Sequence, residues 1–175
     1  MLTEKTYKVF KFYDVDGRNM KFRNFAGKAG KFNAEGDRNF CLLLSEDDAE
    51  DLKEEGYNVK YLKPRSEDED PVPYIQVKVK YKNRFGEALK RQPKIVQVTR
   101  YGKTYLDEET ISNLDWADIE DFSIAINPSY RDGEDGSIKA TAYVQTLYVR
   151  IVEDEFESRY ADDMDSAQNI VDEED

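Results

Sequence analysis

The stretch "PYIQVKVKYKN" alternates apolar and polar positions almost without fault. Ile75, Val77, Val79 and Tyr81 fall on one side, and Gln76, Lys78, Lys80 and Lys82 on the other, because successive side chains of a strand take opposite faces. It predicts a strand with an apolar inner face and a row of three lysines outside. The opening "TYKVFKFYDVDGRNMKFRNF" reads as strand, turn, strand, with the Asp-Gly signal of a tight hairpin at Asp16-Gly17. "RNFCLLL" reads as a buried strand with Cys41 as core filler, "YNVKYLKPR" as a short strand, and "KIVQVTRYGKTYL" as a strand pair turning at Tyr101-Gly102. "FSIAINPSYRDGEDGSIKATAYVQTLYVRIVE" reads as two long strands joined by a turn. In the second of these, Ala140, Ala142, Val144, Thr146 and Tyr148 alternate with Thr141, Tyr143, Gln145, Leu147 and Val149.

Two segments break this two-residue period. "SEDDAEDLKEEG" predicts a helix, with Ser45 as N-cap, Asp48 in a capping-box-like position, acids in the first turn and Gly56 as the stop. "DEETISNLDWADIED" predicts a helix or helical turn capped by Asp107. Many short strands with regular turns and two short helices give a mainly β fold with helical inserts, for which a small, partly open Greek-key barrel of the OB type fits. The pattern predicts one domain over residues 1–153 and an acidic, polar tail over 154–175.

Charge changes this picture because it is unevenly spread. The net charge is −12, yet residues 1–44 carry +4, 45–70 carry −7, 71–105 carry +8 and 106–175 carry −17. Two basic blocks thus alternate with two acidic ones, and if the basic blocks are neighbours in space the molecule has one positive face. The chain has no His, one Cys and one Trp. Lacking His, it lacks the commonest general base and metal ligand, and a single Cys forms neither an internal disulfide nor a cysteine-rich zinc site. "GKAGKF" lacks the spacing and the hydroxyl residue of a phosphate-binding Walker loop, and "DGEDG" is too short for an EF-hand. No catalytic residue, metal or cofactor is expected. No apolar run approaches a membrane span, and "MLTEKTYKVF" lacks a signal-peptide core, so a cytoplasmic protein without membrane association is expected.

The remaining signal is cations interleaved with rings, the chemistry with which proteins hold single strands: a basic groove for phosphates and aromatic faces for bases. "FRNFAGKAGKFNAEGDRNF" supplies Arg23, Lys28, Lys31 and Arg38 with Phe32. The second basic block supplies Lys78, Lys80, Lys82, Arg84, Arg91 and Arg100 with Phe85, Tyr101 and Tyr81. Tyr81 ranks last, since it alternates away from Lys80 and Lys82.

These stretches also carry a resemblance. "FRNFAGKAGKFNAEGDRNFCLLL" followed by an acidic helix resembles small phage-borne proteins, and "FSIAINPSYRDGEDGSIKATAYVQTLYV" is similar in layout to the closing hairpin of phage OB-fold single-stranded DNA-binding proteins. The acidic C-terminus resembles the tails with which such proteins recruit replication and repair enzymes. It departs from them in ending "IVDEED" rather than on an aromatic, so Ile170 and Val171, with Asp172, Glu173, Glu174 and Asp175, stand where the partner-binding residues are expected. The resemblance implies a non-catalytic coat for single-stranded DNA in phage replication or recombination, within the host cytoplasm, with RNA as a second ligand this chemistry admits and self-association left open. The alternative from charge is a small acidic phage protein that binds and modulates a host partner by mimicking DNA. A carboxylate-held Mg²⁺ enzyme is a third reading, to which no particular pair of acids points.

Overall fold

The computed structural model describes residues 8–152 of the chain. Nine strands and one α-helix follow in the order β1 (Phe10–Asp16), β2 (Met20–Asn24), β3 (Arg38–Leu43), α1 (Glu46–Glu54), β4 (Lys60–Leu62), β5 (Val72–Val79), β6 (Lys94–Thr99), β7 (Gly102–Leu106), β8 (Ile119–Asp132) and β9 (Ile138–Ile151). Short 3₁₀ turns occupy Gly17–Asn19 and Ile111–Asp115. All the strands belong to one sheet, whose main path runs β1-β8-β9-β5-β3-β2. Its first and last strands are consecutive in the chain, so the sheet rolls up towards itself. Among the described residues no ladder joins β1 to β2, and the roll stays open. The mainly β, OB-like, partly open architecture is therefore as the pattern predicts.

The Asp16-Gly17 turn is not the hairpin its sequence signals. β1 pairs with β8 and β2 with β3, so the turn is a corner at which one bent strand passes from one part of the sheet to another. Gly17 is required there by proximity: a Cβ at this position would lie 1.9 Å from the Ile119 carbonyl oxygen. Each half of the bent strand also carries a bulge, where Asp14 (φ +49°) and Phe22 (φ +52°) take left-handed conformations uncommon for residues other than Gly.

β9 is the organising strand. One edge pairs antiparallel with β8 along a long hairpin, and the other pairs in parallel with β5 at Ala142 and Tyr143 and then with β6 from Thr146 to Arg150. Strict alternation fails along it. A bulge opposite Ala125 and Ile126 slips the register by one residue at Gln145, and a one-residue slip exchanges faces. The buried set is Ala140, Ala142 and Val144 before the bulge, then Leu147 and Val149 after it. Tyr143 and Tyr148, expected on opposite faces, consequently both lie outside the core.

Inside the roll, Phe25, Phe40, Leu42, Ile75, Val77, Phe122 and Ile126 form a single core. Phe25 and Phe40 stack at 5.4 Å between ring centroids. α1 closes one end by burying Ala49 and Leu52. Its start is the predicted one, with the Ser45 hydroxyl accepting from the Asp48 N–H at 3.1 Å. Burying one such Leu fully stabilises the fold by about 1.5–3 kcal/mol, more than the cap's typical contribution of about 1 kcal/mol. Of the helix or helical turn predicted after Asp107, the structure forms the turn, a single 3₁₀ stretch at Ile111–Asp115. Asp107 does order the turn before it, its carboxylate accepting from the Glu109 and Thr110 N–H groups at 3.0 Å each.

Candidate nucleic-acid interface

The face of β3, β5 and β9 opposite the core is polar and basic. Register places Asn39 beside Lys78 and Lys78 beside Tyr143, with Cys41 beside Gln76 in the next row. The predicted parity of β5 holds: Ile75, Val77 and Val79 are buried, whereas Gln76, Lys78, Lys80 and Lys82 are exposed. These side chains floor an open groove of about 600 Å³ walled by Phe32, Asn33, Glu35, Asp37, Arg38, Asn39, Arg84, Glu108 and Tyr143. A smaller hollow of about 280 Å³ continues it past Gln76 and Lys78, between Cys41, Lys60, Tyr74, Arg131 and Thr141. The two basic blocks of the sequence thus meet: Arg38 and Phe32 come from the first, and Lys78, Lys80, Lys82 and Arg84 from the second. Cys41 is half-buried on this outer face, not in the core, because it alternates with the buried Phe40 and Leu42. Burial raises its thiol pKa, against a smaller opposing pull from Lys60.

One end of the groove is built around Tyr81. Its ring is only 5% exposed, so it belongs to the core, as its alternation implies. Burial pushes its phenol up to about 12, and the hydroxyl has no hydrogen-bond partner among the described residues. The Arg38 guanidinium lies over the ring, 5.6 Å from its centroid. Glu108 faces Arg38 at 3.9 Å and Lys82 at 3.5 Å. A carboxylate therefore occupies the neighbourhood of two cations that could otherwise meet phosphate.

The other wall is the glycine-rich loop between β2 and β3, which is braced by its own polar side chains. Asn33 Nδ2 donates to the carbonyls of Lys28 (2.8 Å), Ala34 (3.1 Å) and Asp37 (3.0 Å), and Asn39 Nδ2 donates to Asn33 Oδ1 (2.8 Å). The Gly36 N–H donates to the Gly27 carbonyl at 2.8 Å. Gly27 (φ +68°) approaches Gly36 so closely that a Cβ would lie 3.0 Å from the Gly36 carbonyl carbon. From this frame Phe32 projects with 93% of its surface exposed, and Lys31 lies over its ring at 5.4 Å.

Other predicted residues lie outside the groove's lining. Phe85 stands exposed at the tip of the turn after β5, which Asn83 closes by accepting from the Phe85 N–H (2.9 Å) and the Glu87 N–H (3.0 Å). The Arg84 guanidinium lies 4.8 Å from the Phe85 ring centroid. Arg91 is exposed in the loop before β6. Arg100 and Tyr101 stack at the β6–β7 turn, 4.8 Å apart. Arg23 makes structural ties, donating to the carbonyls of Leu114 (2.9 Å) and Ala117 (2.6 Å). Lys28 lies over the Trp116 ring at 5.4 Å. Ile170, Val171, Asp172, Glu173, Glu174 and Asp175 fall outside the described residues. Sequence reasoning missed Tyr143, Lys60 and Arg131. Alternation put Tyr143 on one face of its strand without saying which, only the parallel β5–β9 pairing brings it beside Lys78, and no local signal announces that pairing. Among the described residues, no group of three or more His, Cys, Asp or Glu side chains could hold a metal ion, and no helix is long and apolar enough to cross a membrane.

A family model described as "Putative phage ssDNA-binding domain" matches residues 2–175. No curated protein matches the chain. Among solved structures, the fold is similar to that of the single-stranded DNA-binding protein from bacteriophage Enc34 in complex with ssDNA, with a TM-score of 0.50 and 12% identity over 83% of this chain and 88% of that one. The single-stranded DNA-binding protein gp2.5 encoded by bacteriophage T7 gives a TM-score of 0.43 and 9% identity over 90% of this chain and 94% of that one.

Proposed function

The chain belongs to the phage ssDNA-binding domain family, as a non-catalytic single-stranded DNA-binding protein, and from that premise we propose that it holds the strand along the outer face of β3, β5 and β9 during phage DNA replication or recombination. The observation that carries this placement is the convergence of Arg38, Lys78, Lys80, Lys82 and Arg84 with the rings of Phe32 and Tyr143 around one open groove. Lysines on a strand's outer face neutralise successive phosphates, and the rings give bases a stacking surface that is indifferent to their identity. The Enc34 protein, whose fold this chain resembles, was solved in complex with ssDNA. Phe85, Arg91, Arg100 and Tyr101 lie beyond the groove and would meet a longer strand. Residues 154–175 carry ten acids and one Arg. Their role in this reading is to engage replication or recombination proteins, with Ile170 and Val171 as the apolar contact.

The test is the anisotropy of a labelled oligo-dT across a salt series, with matched duplex as the comparison. Each phosphate contact on a single strand contributes about 0.7 to the log–log salt slope. Replacing Lys78, Lys80 and Lys82 together by Gln is therefore expected to flatten the slope by about 1.4 where Glu108 keeps Lys82 from phosphate, and by about 2 where the strand displaces Glu108, while Lys53→Gln on α1 leaves it alone. Equal slopes for the triple variant and the parent would place the strand elsewhere. A chain ending at Glu153 is expected to keep strand binding and to lose co-purification with phage replication proteins; retaining both removes the tail from this reading.

A further inference from the structure

Trp116 is the chain's single Trp, and 81% of its surface is exposed. An indole left this open is unusual, and the structure anchors the backbone on either side of it. The neighbouring Asp115 carboxylate accepts from the Phe25 N–H at 2.6 Å and the Ala26 N–H at 2.9 Å. Arg23 donates to the carbonyls of Leu114 and Ala117. Residues 114, 115 and 117 are thus all anchored to β2 and the loop that follows it, and residue 116 between them points outwards. The Lys28 ammonium lies over the ring, 5.4 Å from its centroid. The Lys28 carbonyl in turn accepts from Asn33, which lines the groove. One loop therefore presents Phe32 to the groove on one flank and Lys28 with Trp116 on the other.

We propose that Trp116, with Lys28 above it, is a further base-stacking site that a single strand reaches after leaving the groove past Phe32. The inference rests on the groove reading and extends the strand's path. An open indole on anchored backbone gives a base a stacking surface, and a lysine beside it answers the adjoining phosphate. The polar anchoring on either side has this consequence: the backbone that carries the ring is fixed before the strand arrives.

Because the chain has one Trp, emission excited at wavelengths beyond the tyrosine absorption band reports this ring alone. The experiment titrates the full chain with labelled dT oligomers of increasing length, reading anisotropy and Trp emission in the same cuvette. The shortest oligomers that bind are expected to raise anisotropy without changing Trp emission, and longer ones to quench it. Trp116→Ala is expected to lose about 5- to 150-fold in affinity for long oligomers only, and Trp116→Phe to keep most of it. Long oligomers that bind without quenching, or an unchanged affinity for Trp116→Ala, overturn the proposal. Quenching as deep with the shortest binding oligomer puts Trp116 inside the groove and overturns a separate site. Absence of any anisotropy change at any length refutes the groove reading itself, and this inference with it.

Discussion

Glu108 is the residue whose removal should improve the protein at its own task. Its carboxylate stands 3.5 Å from Lys82 and 3.9 Å from Arg38, and the side chains are 35%, 54% and 17% exposed respectively. A phosphate arriving at either cation must displace this internal anion. Partly exposed ion pairs of this kind contribute about 0.2–1 kcal/mol each, so the two together withhold about 0.4–2 kcal/mol from strand binding. Glu108→Gln keeps the shape and deletes the charge. It is expected to tighten oligo-dT binding by about 2- to 30-fold at low salt. With two more cations free to meet phosphate, the log–log salt slope should steepen by up to about 1.4, so the advantage shrinks as salt is added. Arg38 should keep its place, because Tyr81 lies beneath it. The measurement is anisotropy on parent and variant across one salt series, with a urea melt to show that both are folded. Unchanged or weaker binding by a folded variant, with the same salt slope, would refute the reasoning, because Glu108 would then not compete with the strand.

Two further outcomes follow from packing. Gly17→Ala forces a methyl to within 1.9 Å of the Ile119 carbonyl oxygen; backbone on both sides must move, and a loss of about 1–3 kcal/mol in urea unfolding is expected, with an unchanged midpoint counting against the corner's tightness. Tyr81→Phe removes a buried hydroxyl that has no hydrogen-bond partner among the described residues, so stability at pH 7 should hold or rise. The Tyr81 phenol titrates near 12 in the fold because burial disfavours its charged form, against about 10 when unfolded. The unfolded chain thus ionises first, and stability falls as pH rises from about 10 to about 12; the Phe variant should lose less across that window in urea melts at several pH values, and an identical decline in both proteins would remove Tyr81 as its source.

Much of the groove was legible in one stretch of chain. The alternation from Ile75 to Lys82 places the apolar side chains inside and the lysines outside, and no tertiary detail reverses it. Ser45 with Asp48 marks the start of α1, because a helix's first N–H groups need local acceptors. Features set by distant partners were not legible. Asp16-Gly17 has the local chemistry of a hairpin, but Ile119 and the separate partners of β1 and β2 make it a corner. The bulge at Gln145 cannot be seen in an unbroken alternation, and it decides which tyrosines of β9 face out. Arg23 looked like a phosphate ligand on charge alone, until the carbonyls of Leu114 and Ala117 came within its reach. Trp116 was hidden because it stands in an acidic stretch outside both basic blocks, and Lys28 reaches it only through the fold.

The placement of β9 bears on how the molecule is made. It is the last strand of the described sheet to leave the ribosome, yet it lies between β8 on one side and β5 and β6 on the other. Until Ile151 is synthesised, β5 and β6 carry bare edges and the basic face lacks its Tyr143 row. Such late, long-range closure slows folding, and open edges expose nascent chains to wrong pairing. A message truncated before Ile138 would therefore yield an aggregation-prone fragment, not a weakened DNA binder. Strand-binding competence should appear in one step, on completion of the sheet.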